Sequence, residues 1–143
     1  MSQFISKNDY DATVHREILD AITRQDEAVV EICSERAISE MRCYLSGRYN
    51  CDKVFAATDK ARNELVLMMC IDIAVYHLFC IHNPQKLSQM RKDRYERAVE
   101  WLKAVRKGDI SVDGLPPAEQ TEEEKKTSSP YQMRSNHKRI NHF

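Results

Sequence analysis

Residues 65–81 read LVLMMCIDIAVYHLFCI, and this stretch decides the fold. Leu65, Met68, Met69, Ile71, Ala74, Val75, Leu78 and Phe79 spread over most of a helical circumference instead of forming one stripe. A helix that is apolar all round belongs in the middle of a bundle, because every face needs cover from water. Asp72 and His77 interrupt the run, which falls short of the ~20 apolar residues of a membrane-spanning helix. The expectation is a buried central helix over about Asp59–Ile81, ended by Asn83-Pro84, and no membrane span.

Gly47, Gly108 and Gly114, with Pro84, Pro116 and Pro117, punctuate the chain on either side. Upstream, Ser6-Lys7-Asn8-Asp9 fits a capping pattern flanked by Ile5 and Tyr10. Tyr10, Val14, Ile18 and Ile22 then recur every fourth residue, the spacing of one helical stripe. A second helix should start at Thr23–Asp26. Val30, Cys33, Ala37, Met41 and Tyr44 form its inner face, widened by Ile38 and Leu45. Gly47 is the expected left-handed residue closing it. Residues 48–58 read as a loop. Downstream, a fourth helix over about Ser88–Lys107 carries Leu87, Tyr95, Ala98, Val99, Leu102 and Val105 on its apolar face, with Gly108 as its stop. Ile110 and Val112 suggest a short extended piece. The fold class is therefore all-α: a compact bundle of about four helices over residues 1–115.

From Pro116 the composition shifts. Residues 116–130 hold three Pro, a Glu122-Glu123-Glu124-Lys125-Lys126 run and Thr-Ser-Ser, and read as a solvated linker. The final segment, 130–143, carries Arg134, Lys138 and Arg139 with no acid, together with Tyr131, Met133, Ile140 and Phe143. It reads as a flexible tail whose Tyr131, Ile140 and Phe143 can anchor an arm on a neighbour.

Composition bounds the function. The chain has 143 residues, enough for one domain. Lys+Arg and Asp+Glu both number 22, without the basic excess of a wholesale polyanion binder. With 42% hydrophobic residues it can build a core, and three Gly with four Pro argue against a turn-rich sandwich or barrel. Five cysteines include no C-x-x-C pair. Cys33 and Cys43, like Cys70 and Cys80, would lie ~15 Å apart along a helix, too far for a disulfide. Free, mostly buried thiols in a reducing cytoplasm are expected. Met1–Tyr10 has neither the basic nor the apolar region of a signal peptide.

The zero net charge hides a split. Residues 8–40 carry nine acids against three Arg, a net of −6, while residues 86–107 carry eight bases against three acids, a net of +5. Such patches can pair within a subunit, between neighbours, or simply face solvent. Lys86, Arg91, Lys92, Arg94, Arg97, Lys103, Arg106 and Lys107 can reach phosphates, but Asp93, Glu96 and Glu100 interleave with them and oppose that contact. Direct nucleic-acid binding is kept as the alternative reading and is not expected. Trp101 reads as core or interface.

Catalytic and metal chemistry finds little footing. His77, Cys80 and His82 form an H-x-x-C-x-H cluster that matches no standard zinc spacing and has no second half. No nucleophile elbow, zincin, P-loop, Rossmann or kinase pattern occurs. Asp72, in the most apolar helix, needs a partner, since a lone buried carboxylate is expensive. Arg48, Tyr49, Arg94 and Tyr95 are the expected partners, making Asp72 a structural pin. No cofactor, metal or catalytic residue is assigned, and no enzymatic activity is expected.

The segments in order carry a resemblance. Phe4-Ile5-Ser6 with Asp9 is followed by Ala37-x3-Met41-x2-Tyr44-Leu45-x2-Arg48-Tyr49, then Asp72-Ile73-Ala74-Val75-Tyr76-His77-Leu78. Arg94-Tyr95-x2-Ala98-x2-Trp101-Leu102 and Gly108 close the series. Over about residues 4–115 the chain resembles the Mu-like phage head–tail connector, or head-completion, family. The resemblance implies a small helical, non-enzymatic protein that assembles near the portal vertex and joins head to tail. It also implies portal, adaptor or tail-completion partners, a homo-oligomeric ring on assembly, and residence in the bacterial host cytoplasm and then in the virion. Tyr44, Leu45, Arg48, Tyr49, Asp72, Tyr76, Arg94 and Tyr95 match the family pattern and read as packing and pinning residues.

Overall fold

Asn63 is where the central helix begins. Its side-chain oxygen accepts from the backbone amides of Leu65 and Val66, at 3.1 Å each, satisfying donors that have no carbonyl partner in a first turn. In the computed structural model, which describes residues 3–24, 26–82, 85 and 87–119, the helices are α1 (Arg16–Thr23), α2 (Glu27–Leu45), α3 (Cys51–Ala56), α4 (Glu64–His82) and α5 (Gln89–Lys107). Two 3-10 turns, Lys7–Ala12 and Asp59–Ala61, complete the list. Among the described residues there is no strand, only an isolated bridge between Tyr49 and Pro117. The architecture is all-α.

α4 is the hub: α1, α2 and α5 all pack on it, and α2 also touches α5. Val66, Cys70, Ile73, Ala74, Val75 and Leu78 are sealed from water, and Met69 and Ile71 nearly so. Burying each Val, Ile, Leu or Met side chain among them stabilises the fold by about 1.5–3 kcal/mol. By length and composition alone α4 could cross a bilayer, but 56% of its apolar window is buried inside the body. Its cover is incomplete, with Leu65, Met68 and Ile81 exposed.

The caps follow the sequence reading for two helices. Asp26 accepts from Ala28 N at 3.0 Å to start α2, and Ser88 accepts from Arg91 N at 3.3 Å to start α5. Gly108, at φ +89°, closes α5 in the left-handed region that costs glycine little. Gly47 does not play that part for α2: the cap is Ser46, in helical conformation, and Gly47 is not among the positive-φ residues. The α2 face is buried as expected at Val30, Cys33, Ala37, Ile38, Met41 and Leu45, with Tyr44 half-buried.

Three further expectations are corrected. The stripe Tyr10–Val14–Ile18–Ile22 does not lie on one helix, because the chain forms a 3-10 turn, breaks at Thr13–His15 and restarts as α1. The restart changes the phase, so Leu19 and Thr23 face the core while Ile18 is 46% exposed. The supposed loop 48–58 contains α3. Asn50 caps it through a bond from Lys53 N at 3.2 Å, and Cys51, Val54 and Phe55 bury against the core. The central helix also starts later than Asp59, since the turn at Asp59–Ala61 precedes Asn63.

The segment after Gly108 is irregular, not a strand. Pro116 O accepts from Asn50 N at 2.9 Å and Ala118 N donates to Arg48 O at 3.1 Å, so pairing on the body continues past residue 115 into the segment read as linker. All five cysteines are free thiols: Cys33, Cys51 and Cys70 are buried, Cys43 is exposed and Cys80 half-buried. The arm residues Tyr131, Arg134, Lys138, Arg139, Ile140 and Phe143 lie outside the described residues.

Candidate functional site

Asp72 is held by Arg97. Its Oδ2 accepts from Arg97 Nη2 at 2.7 Å, and its side chain is only 4% exposed while that of Arg97 is 53% exposed. This corrects the expected set of partners. Arg94 joins Asp72 in lining one cavity and favours its charge without a direct bond, whereas Arg48, Tyr49 and Tyr95 act elsewhere. Burial pushes the Asp72 carboxyl above the usual carboxylate range, against the pull of Arg97 and, less strongly, of Arg94 and Arg91.

Arg48 pins the end of α5. Its Nη1 donates to Val105 O at 2.8 Å and Ile110 O at 3.1 Å, and its Nη2 to Ser111 Oγ at 3.4 Å. A guanidinium at a helix C-terminus satisfies orphan carbonyls and meets the negative end of the dipole. Tyr49, buried beside it, accepts from Val112 N at 2.9 Å. Both are pins, but they fasten α5 and the segment after it, not Asp72.

Tyr95 belongs to a separate polar cluster that sequence reasoning missed. Its hydroxyl donates to Glu40 Oε1 at 2.7 Å, and His77 Nε2 lies 3.1 Å from Glu40 Oε2. Tyr76 stacks on Tyr95 with ring centroids 4.0 Å apart and planes 10° from parallel. Burial, then the bond to Glu40, raises the Tyr95 phenol. Glu40, on α2, thus ties α4 to α5, and His77 is engaged as a tie of this kind. No sequence pattern announces such a contact, because it depends on how the three helices align.

A second arginine pin also escaped the sequence reading. Arg62 Nη1 donates to Asp9 Oδ2 at 2.6 Å and to Phe4 O at 2.8 Å, and its Nη2 reaches Asp9 Oδ1 at 3.1 Å. Ser6 N and Oγ donate to the same carboxylate at 2.7 and 2.8 Å. Burial alone would raise Asp9, but Arg62 and Ser6 together hold it below its ordinary value.

A cavity of about 510 Å³ opens beside Asp72, lined also by Asp9, Thr13, Glu64, Arg94 and Arg97. Its two most buried carboxylates are each bound to a guanidinium, and no His, Cys or Lys among the described residues lines it. Arg91 runs alongside, donating to Thr13 O at 3.1 Å and lying 5.4 Å from the Phe79 ring centroid, with its Nη1 buried and without a hydrogen-bond partner among the described residues. Among the described residues, no three His, Cys, Asp or Glu side chains converge as metal ligands.

The outer faces are less self-satisfied. Among the described residues, the ion pair between Arg97 and Asp72 is the only one α5 makes. Lys92, Lys103, Arg106 and Lys107 are exposed and form no ion pair with the acids of residues 8–40. Arg106 instead lies 5.5 Å from the centroid of the Tyr44 ring. Trp101 is half-buried against the core, within the range expected for it.

A family model described as Bacteriophage Mu, Gp36 matches residues 4–133. The match extends beyond residue 115, the limit of the resemblance carried by the sequence motifs, into the basic C-terminal segment. No curated protein and no solved structure matches the chain.

Proposed function

The chain belongs to the bacteriophage Mu Gp36 family, and on that footing we propose that it is a non-enzymatic structural adaptor of head completion, joining head to tail near the portal through contacts between subunits. The observation that carries this reading is the unspent charge on its exterior. Among the described residues, Lys92, Lys103, Arg106 and Lys107 on α5, and Glu17, Glu31 and Glu35 in the acidic segment 8–40, are exposed and form no ion pair. Opposite patches left open on one subunit steer a neighbour onto it head to tail, and such a contact makes a ring if the rotation closes. The partners are then further copies of the chain and a portal, adaptor or tail-completion protein, met in the host cytoplasm and retained at the head–tail junction of the virion.

The pins fit a rigid tile. Arg48, Arg62, Glu40 and Arg97 each fasten one helix or segment to another, which fixes how the outer faces are displayed. The test is an in-frame deletion of the coding sequence in an inducible prophage, with particles viewed by electron microscopy. The adaptor reading expects filled heads and free tails that fail to join, with joining restored in trans. Normal yields of tailed particles from the deletion would overturn it.

The exposed bases of α5 favour one alternative, a regulator that binds nucleic acid. Retention on duplex DNA that falls steeply with salt would support it over the adaptor reading.

A further inference from the structure

A groove of about 590 Å³ runs between the Lys7–Ala12 turn and the N-terminal half of α2. Ile5, Tyr10 and Val30 line it with apolar surface. The Tyr10 hydroxyl is engaged 2.5 Å from Ser34 Oγ, which itself donates to Val30 O at 2.9 Å, so Tyr10 is the donor between them. Glu27, Glu31 and Glu35 also line the groove, and their spacing of four sets them along one face of α2. Lys7 lies 3.4 Å from Glu27. Glu31 and Glu35 are exposed and make no ion pair among the described residues. The groove therefore presents an apolar floor beside unpaired negative charge.

We propose that this groove receives residues 131–143 of a second copy of the chain. That segment, YQMRSNHKRINHF, carries Arg134, Lys138 and Arg139 with no acid, and Tyr131, Met133, Ile140 and Phe143 supply apolar anchors. It complements the groove in both charge and polarity. The basic α5 of a neighbour is a poorer fit, since Asp93, Glu96 and Glu100 would face the glutamates. Residues 120–130, fully extended at about 3.3–3.6 Å each, let the segment range up to about 40 Å from the last described residue. The inference rests on the adaptor reading, which supplies the neighbouring copy. It assigns the groove-lining glutamates, Glu31 and Glu35, the task of receiving an arm, and leaves the rest of the acidic segment to face the α5 of a neighbour.

The probe is a fluorescent peptide of residues 131–143, titrated by anisotropy into the full chain carrying Lys138→Glu and Arg139→Glu, so that the chain's own arm does not compete. Saturable binding that weakens with salt is expected. Adding Glu31→Lys and Glu35→Lys to the same chain should weaken it about tenfold or more. Both glutamates are exposed, so unchanged thermal melting will show that the fold is intact. Absence of saturation at millimolar chain, or binding indifferent to the glutamate reversals, would overturn the proposal. Exchange between copies is read by sedimentation. The Glu31→Lys/Glu35→Lys chain and the Lys138→Glu/Arg139→Glu chain should each run as single subunits, and their equimolar mixture as pairs. A mixture that stays single contradicts the proposal. Failure here leaves the prophage result standing, and unimpaired head–tail joining in the deletion would leave a positive peptide result standing.

Discussion

Asp9 and Asp72 are both largely buried acids that meet one arginine each, yet their carboxyls shift in opposite directions. Asp9 receives two bonds from Arg62 and two from Ser6, and the side chains of Asp9 and Arg62 are 16% and 14% exposed. Asp72 receives one bond from an arginine whose side chain is 53% exposed, while its own is 4% exposed. Burial raises both, and only at Asp9 do the bonds outweigh it. What decides the sign is how many donors reach the carboxylate against how much water it has lost, not the mere presence of an arginine.

The sharpest way to break this contrast is Arg62→Ala. It leaves Asp9 without its counter-charge and also frees Phe4 O and Asp59 O, which Arg62 now binds. Urea unfolding at pH 7 should show a loss of about 3 kcal/mol. Arg97→Gln should cost less, about 1–2 kcal/mol, because Arg97 gives Asp72 a single bond from a half-exposed guanidinium.

The pH dependence separates the two acids by sign. Asp9 has its folded pKa below 3.8, so it contributes stability that is present above that value and is lost as pH falls through the lowered folded pKa. Asp72 has its folded pKa above 3.8, so the folded state binds the extra proton, and stability falls as pH rises through the window from 3.8 up to the raised value. Asp72→Asn should therefore compare more favourably with the unsubstituted chain at pH 7 than at pH 3, and Asp9→Asn less favourably. Unfolding curves at both pH values check the pair. The smallest effect is expected from Lys92→Glu with Lys103→Glu on exposed α5, within about 0.5 kcal/mol per site, because these side chains make no ion pair among the described residues.

The same contrast marks how far the sequence could be read. α4 and α5 were legible because their signals are local: an all-round apolar run, a Ser cap and a Gly stop. Asp72 was legible as a buried acid in need of a partner. The identity of that partner was not, because the choice between Arg94 and Arg97 is set by how α5 aligns on α4. Arg48 and Tyr49 read as partners of Asp72, whereas they bind Val105 O, Ile110 O and Val112 N, backbone groups that no side-chain pattern marks. The every-fourth-residue pattern from Tyr10 to Ile22 misled because a break at Thr13–His15 resets helical phase without a Gly or Pro to announce it. α3 was missed because six residues are too few for a period to show, although Asn50 three residues before Lys53 was a readable cap.

Asp72 also bears on function, as the acid with a raised pKa in a cavity, an arrangement that sites of proton transfer share. The adaptor account gives it a structural task and places the work on the exterior. Complementing the deleted prophage with Asp72→Asn and counting tailed particles by electron microscopy puts that division to the test. The account predicts joining close to that given by the unsubstituted chain. Loss of joined particles from a variant that accumulates and melts normally would contradict it and move the function into the cavity.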